Sequence, residues 1–205
     1  MRQVADAIGA DSLAVQCDVR EEQQVADVVH QAVERFGRLD IAINNAGMST
    51  PMKSLLETTE DDMDLNFAVN AKGVFFGMKY EIPVMLEQGG GAILNVASMA
   101  GILAAPKLTA YAAAKHAVVG ITKTAAVEFG RHNVRVNAIC PFYSPTPFVT
   151  EGIDPDVQAL VAKGSPMKRL GAPEEIVSAM LHMVDPDNSY LNGQAIAVDG
   201  GVAAI

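Results

Sequence analysis

Strand-like and helix-like segments alternate along this chain, and only short connections separate them. Five short apolar runs have the length of buried strands: residues 12–17, 39–43, 92–97, 134–139 and 194–198. The clearest helical pattern, over residues 21–36, repeats apolar side chains three and four positions apart before Gly37 ends it. Such alternation predicts a doubly wound parallel sheet with helices on both faces, a Rossmann-like three-layer α/β fold.

Further helices are predicted within residues 58–87 and over residues 111–130. After the proline-rich stretch at residues 141–147, two shorter helices are expected, and the second begins at Pro173. No linker or internal repeat divides the chain, so we expect residues 1–205 to form one domain with a buried core.

Charge and hydropathy exclude several classes of function. The net charge of -9 argues against binding to nucleic acid or to an anionic membrane surface. No apolar run reaches the roughly 18 residues of a membrane span, and the first residues have no signal-peptide pattern. The cysteines Cys17 and Cys140 are far apart and are interpreted as reduced thiols, which suits a cytoplasmic protein.

An acidic cluster at residues 60–64 could suggest a metal site, but its place at the start of a helix has a simpler explanation. Acidic side chains in a first turn complement the helix dipole. Thr59 and Asp62 also have the spacing of a capping box. We therefore predict no metal site.

Polar or flexible residues stand where the predicted strands end. Asp18 follows the first run, an Asn-Asn-Ala-Gly turn at residues 44–47 follows the second, Ser98 the third and Pro141 the fourth. Ligands bind outside the carboxyl ends of the strands in open α/β sheets. The functional site is therefore expected at this edge.

Tyr111 and Lys115 are four residues apart in a predicted helix and share one face. An ammonium beside a phenol lowers the pKa of the tyrosine, which can then transfer protons near neutral pH. Ser98 could hydrogen-bond the same substrate oxygen. The Tyr-x-x-x-Lys pattern alone is common on protein surfaces. Here Ser98, the turn at residues 44–47 and the small side chains between Tyr111 and Lys115 support a catalytic interpretation of the pattern.

Taken together, these motifs resemble the short-chain dehydrogenase/reductase family over essentially the whole chain. The residues that carry the resemblance are Asp18, Val19, Asn44, Asn45, Ala46, Gly47, Asn70, Ser98, Tyr111, Lys115, Pro141, Thr146, Asp199, Gly200 and Gly201. Residues 169–175 are similar to the bacterial branch that contains 3-oxoacyl carrier-protein reductases and glucose dehydrogenases. The resemblance implies hydride transfer between NAD or NADP and a secondary alcohol or ketone.

The resemblance also implies individual roles. Tyr111 would be the general acid/base, Lys115 would lower its pKa, and Ser98 would polarise the substrate carbonyl. Asn70 would hold a water that links Lys115 to solvent. Cofactor contacts would come from Asp18, Val19, Asn44, Ala46, Gly47, Tyr111, Lys115, Pro141 and Thr146.

Three of these residues have alternative readings. Asn70 could be an ordinary helix asparagine, and Asp18 could cap the following helix. The Thr146 hydroxyl could hydrogen-bond the backbone of its own loop. The family's helices around residues 70–87 and 111–130 build subunit interfaces, so the resemblance also implies a homo-oligomer, a dimer or a tetramer.

Phe142 departs from the family, which usually has glycine after this proline. Phenylalanine does not readily adopt positive φ, so the loop could follow another path or could narrow the substrate pocket with an aromatic wall. The neighbouring residues 143–148 are apolar and rich in proline. We expect a substrate with some hydrophobic surface.

A second departure concerns the start of the sequence. Family members begin with a strand, a glycine-rich turn that holds the pyrophosphate, a helix and a second strand, whereas no such fingerprint precedes residue 12 here. Residues 1–10 are typical of a helix end. We expect the first β-α-β unit to lie upstream, with residues 12–17 lacking a strand partner and 39–43 at the sheet edge. One alternative is that another chain or a rearrangement completes the fold, and another is a non-catalytic relative that acts as a binding or assembly partner.

Overall fold

A parallel four-stranded sheet organises the computed structural model, which describes residues 2–151 and 154–204. Its strands are β1 (Ile41–Asn44), β2 (Gly91–Val96), β3 (Val134–Pro141) and β4 (Ala195–Val198), hydrogen-bonded in that order. Asn44 pairs with Asn95, and Val96 pairs with Ile139, so the carboxyl ends of the strands meet at one edge. The predicted doubly wound α/β architecture is confirmed.

Helices connect and flank these strands. They are α1 (Arg2–Ile8), α2 (Glu22–Phe36), α3 (Glu60–Asn66), a π-helical segment (Phe67–Lys72), α4 (Gly73–Glu87), α5 (Thr109–Phe129), α6 (Pro147–Thr150), α7 (Pro155–Gly164) and α8 (Pro173–Val184). Short 3-10 turns cover Leu55–Glu57, Met99–Gly101, Gly130–His132 and Val202–Ala204.

Alternation along the strands divides the core between the two faces of the sheet. On β2, Ile93 faces a cluster formed with α4 and α5, while Ala92 and Leu94 face a second cluster formed with α8. On β3, Val136 and Ile139 divide in the same way. This period of two explains why both central strands carry apolar side chains on both faces, as strands covered on both sides do. The buried polar residues among them are Asn95 on β2 and Arg135 and Asn137 on β3.

Local signals in the sequence set two of the helix boundaries. Gly37 ends α2 with a left-handed φ of 81°, and its N–H bonds the carbonyl of Val33. Thr59 and Asp62 form the expected capping box at the start of α3, with the Asp62 carboxylate accepting from Thr59 N at 2.8 Å.

Residues 12–17 differ from the expectation of a strand. They form no β-ladder within the described part of the chain, where β1 pairs with β2 alone. An extended segment becomes a strand only when a neighbour takes up its backbone hydrogen bonds. At the edge strand itself, Ile41 and Ile43 are each 44% exposed, as expected for a strand with one neighbour.

The helical region predicted within residues 58–87 is divided by the π-helical segment Phe67–Lys72. A π-turn carries an extra residue and often lies at a functional site. Here it contains Asn70.

Candidate active site

Ser98, Tyr111 and Lys115 come together at the carboxyl edge of the sheet. Ser98 follows β2 in extended conformation, and its hydroxyl accepts a hydrogen bond from Ala100 N at 3.1 Å. The same side chain hydrogen-bonds Tyr111, which lies in the first turns of α5. A Cβ on Gly101 would stand 2.7 Å from the Lys115 carbonyl oxygen, so glycine lets the turn after Ser98 lie directly on α5.

Lys115 is 3% exposed and lies one helical turn beyond Tyr111. Its ammonium donates to the carbonyl oxygen of Val96 at 2.7 Å and stands 5.7 Å from the centre of the Tyr111 ring. Burial lowers the pKa of Lys115 to about 8, because an apolar environment disfavours the charged form.

The pKa of Tyr111 differs from the expectation. Burial raises it, and the hydrogen bond with Ser98 acts in the opposite direction without overcoming burial. The Lys115 ammonium points to Val96 O rather than to the phenol oxygen. The expected lowering of the Tyr111 pKa by Lys115 is therefore absent from this arrangement.

Asn70 is completely buried in the π-helical segment. Its Oδ1 accepts from Met48 N at 3.0 Å, while its Nδ2 donates to Met48 O at 2.8 Å and to Asn66 O at 3.0 Å. The side chain thus clamps the backbone of the loop after β1. These contacts explain why Asn70 is buried.

Gly47 is the point where these elements meet. A Cβ at this position would lie 2.9 Å from Asn70 Oδ1 and 3.4 Å from Lys115 Nζ. Such close approach requires glycine. The side-chain ends of Asn70 and Lys115 therefore both lie close to Gly47, which places the two residues side by side in one site.

A cleft of about 610 Å³ opens beside this cluster. It is lined by Gln16, Cys17, Asp18, Val19, Gln24, Ala46, Gly47 and Val69. Four residues predicted to contact a cofactor, Asp18, Val19, Ala46 and Gly47, are among them. The volume lies in the range of roughly 300–1,000 Å³ typical of cofactor sites.

The chemistry of this cleft suits a dinucleotide. Val19 packs closely against Gly73, because a Cβ on Gly73 would lie only 3.0 Å from Val19 Cγ2. The apolar side chain of Val19 lines the cleft next to Asp18. Hydrogen bonds from Arg20 lower the pKa of Asp18 to about 2, so its carboxylate is an ionised acceptor. Asp18 also accepts from Arg20 N at 3.0 Å, although the N-cap position of α2 belongs to Glu21.

The loop after β3 carries the remaining predicted residues. Phe148 approaches Tyr111 with a ring separation of 6.2 Å, and Phe142 meets Tyr143 edge-on at 4.9 Å. Thr146 lies at the N-cap of α6, and its backbone N–H donates to Ser144 O at 2.7 Å. Within the described residues, the buried Ser144 hydroxyl has no hydrogen-bond partner, which marks an unsatisfied polar group in this loop.

Asn44, predicted as a cofactor contact, turns its side chain into the protein. Its Nδ2 donates to Glu81 Oε2 at 3.1 Å and to Asn95 Oδ1 at 3.0 Å. Sequence reasoning missed Glu81, Asn95 and Asn66. The available signal was a single polar residue within an otherwise apolar run, which in a buried element needs a partner.

Known proteins are similar to this chain over most of its length. The family model described as enoyl-(acyl carrier protein) reductase matches residues 1–203. The 3-oxoacyl-[acyl-carrier-protein] reductase of Thermotoga maritima is 38% identical over 185 residues, which are 90% of this chain and 74% of that protein. Levodione reductase of Leifsonia aquatica is 37% identical over 202 residues, 95% of this chain and 76% of that protein.

Solved structures give the same result. A crystal structure of levodione reductase has a TM-score of 0.93 at 36% identity and covers 97% of this chain and 80% of that one. The structure of ElxO with NADP bound has a TM-score of 0.88 at 33% identity, covering 93% and 78% of the two chains.

Fold, site and comparisons together define an NAD(P)-dependent oxidoreductase that acts on alcohols or ketones. The chain belongs to the short-chain dehydrogenase/reductase family. In the described part of the chain, no helix is both long and apolar enough to cross a membrane.

Proposed function

We propose that Tyr111 gives a proton to the substrate carbonyl oxygen during reduction and takes it back during oxidation. The observation that carries this proposal is the cluster of Ser98, Tyr111 and Lys115 beside the cleft that contains Asp18 and Gly47. A nicotinamide cofactor bound there would supply or accept the hydride. The structure of ElxO with bound NADP supports a dinucleotide in this cleft.

The protein's own residues orient the substrate and handle the proton. Ser98 hydrogen-bonds Tyr111 and polarises the same carbonyl oxygen. Burial lowers the pKa of Lys115 to about 8, and its side chain would hold the ribose hydroxyls of a bound nicotinamide cofactor. Asn70 holds the loop that carries Gly47 and supports a water between Lys115 and solvent.

The cofactor-binding set extends along the edge of the sheet. Asp18 would accept a hydrogen bond from the adenine amino group of a bound cofactor, and Val19 would pack against the adenine ring. The backbone at Ala46 and Gly47 would lie close to the cofactor, while Pro141 and Thr146 would border its nicotinamide. The Phe148 ring beside Tyr111 and the Phe142–Tyr143 pair in the same loop favour a ketone or alcohol with hydrophobic surface.

Turnover and nucleotide binding by the purified chain test this function. The sequence contains no tryptophan, so NADH and NADPH fluorescence reports binding directly. Tyr111→Phe should abolish turnover and leave nucleotide affinity unchanged. Tyr190→Phe, at a fully exposed tyrosine, is the matched control and should behave like the unmodified chain. Full activity of Tyr111→Phe would overturn the mechanism.

We also propose that the chain acts as one domain in a cytoplasmic homo-oligomer, a dimer or a tetramer. Free thiols at Cys17 and Cys140 support a reducing compartment. Apolar side chains exposed on α4 and α5, Phe75 at 46% and Val127 at 85%, support association through these helices. Light scattering that finds only a monomer would contradict the assembly, and cell fractionation tests the compartment.

A further inference from the structure

A buried carboxyl group lies behind the turn that follows β1. Glu81, on α4, is only 6% exposed, on a helix whose other buried residues are apolar or glycine. Its Oε2 accepts the hydrogen bond from Asn44 Nδ2 at 3.1 Å. Burial of a carboxyl group is costly unless it is hydrogen-bonded, so this contact constrains both partners.

Asn44 continues this contact across the sheet. Its Nδ2 also donates to Asn95 Oδ1 at 3.0 Å, and Asn95 Nδ2 donates to Thr122 Oγ1 at 2.9 Å. Glu81, Asn44, Asn95 and Thr122 thus form a polar ladder from α4 through β1 and β2 to α5. A side chain on Gly77 would overlap Asn44 Oδ1, so glycine at that position makes room for the ladder.

The ladder passes through Asn44, the residue at which the turn of residues 44–47 begins. Asn44 is the last residue of β1, and Ala46 and Gly47, two and three residues later, line the cleft. Met48, at the far end of the turn, is held by Asn70 through both its N–H and its carbonyl. The turn is therefore anchored at Asn44 and at Met48.

We infer that Glu81 is a positioning residue that, through Asn44, fixes the place at which Ala46 and Gly47 meet the cofactor. The inference rests on the proposed function of the cleft. Glu81 itself does not line the cleft, and it acts through the turn that does, so we expect its effect on nucleotide affinity rather than on the chemical step.

The kind of hydrogen bond determines which substitution is conservative. Burial raises the pKa of Glu81 to about 7, so neutral and ionised forms are both present near neutral pH. Either form offers an oxygen that can accept from Asn44. Glutamine keeps such an oxygen, whereas methionine has a similar length and no comparable acceptor.

Nucleotide affinity of three variants tests the inference. Glu81→Met should raise the Kd for NADPH about tenfold, the factor expected when a buried polar contact is lost, with kcat at saturation unchanged. Glu81→Gln should bind NADPH within about twofold of the unmodified chain. Glu87→Met, at an exposed carboxylate of the same helix, is the control and should also bind unchanged.

The outcomes separate this inference from the proposed function. A Glu81→Met chain with lower Tm but unchanged Kd would show a purely structural role and overturn the inference alone. Equal losses in Glu81→Gln and Glu81→Met would overturn it too, because the acceptor would not matter. If Glu81→Met does not fold, Asn44→Ala breaks the same contact from the other side. An unchanged Kd for NADPH in Asn44→Ala would likewise overturn the inference. An unmodified chain that binds neither NADH nor NADPH would overturn both proposals.

Discussion

Replacement of Gly47 by alanine adds one methyl group at the centre of the site. The new Cβ would lie 2.9 Å from Asn70 Oδ1 and 3.4 Å from Lys115 Nζ. Asn70 cannot turn away without losing its hydrogen bonds to both backbone groups of Met48. The turn must therefore move by a few tenths of an ångström away from Asn70.

The expected cost follows from the burial of these groups. Asn70 is 0% exposed and Lys115 is 3% exposed, so neither has solvent into which it can relax. Overpacking of such sites costs about 1–3 kcal/mol of unfolding free energy. Because a displacement of about 1 Å can reduce catalysis about a hundredfold, the smaller shift here should reduce kcat/KM about tenfold.

Urea unfolding and steady-state kinetics measure both effects. Gly120→Ala is the matched control, because a Cβ at that exposed position of α5 meets no atom within 4 Å of it in the described structure. That control should gain about 0.5–1 kcal/mol of unfolding free energy, since alanine favours a helix over glycine, and should keep its activity. A Gly47→Ala chain as stable and active as the unmodified one would refute the reasoning.

Three further substitutions test separate parts of the structure. Asp62→Asn should lower Tm at pH 7 but not near pH 2, because hydrogen bonds from Lys53 and Thr59 lower the pKa of Asp62 to about 2. The stabilisation by the ionised carboxylate is present above pH 4 and is lost as the pH falls towards 2. An equal loss of Tm at both pH values would contradict this. Arg135→Met should cost about 3 kcal/mol of unfolding free energy in urea, because Arg135 donates to four carbonyls at and beyond the end of α8, and a loss below 0.5 kcal/mol would contradict this role. Ser98→Ala should lower kcat about a hundredfold without changing the Kd for NADPH, and parallel losses in both would place Ser98 in binding instead.

Local patterns were sufficient to predict most of the fold. Short apolar runs located the four observed strands, and the 3.6-residue period located α2, while Gly37 and Thr59 marked helix boundaries through their own backbone chemistry. Strand ends also located the site, because parallel strands bring their carboxyl ends to one edge.

Features that depend on partners distant in sequence could not be predicted. The inward turn of Asn44 requires Glu81 and Asn95, which are 37 and 51 residues away. The pKa of Tyr111 depends on how deeply the ring is buried and on where Lys115 points, and the spacing of the two residues gives neither.

The π-helical segment Phe67–Lys72 constrains how this region can change in length. Because α-helical residues advance by about 100° each, removal of one residue here would convert the π-turn to an ordinary α-turn and rotate what precedes it by that angle relative to α4. Asn70 could then no longer hydrogen-bond both Asn66 O and the backbone of Met48 in the loop after β1. Substitutions can be accommodated at exposed positions of the segment, whereas insertions and deletions should be absent from functional variants of this enzyme.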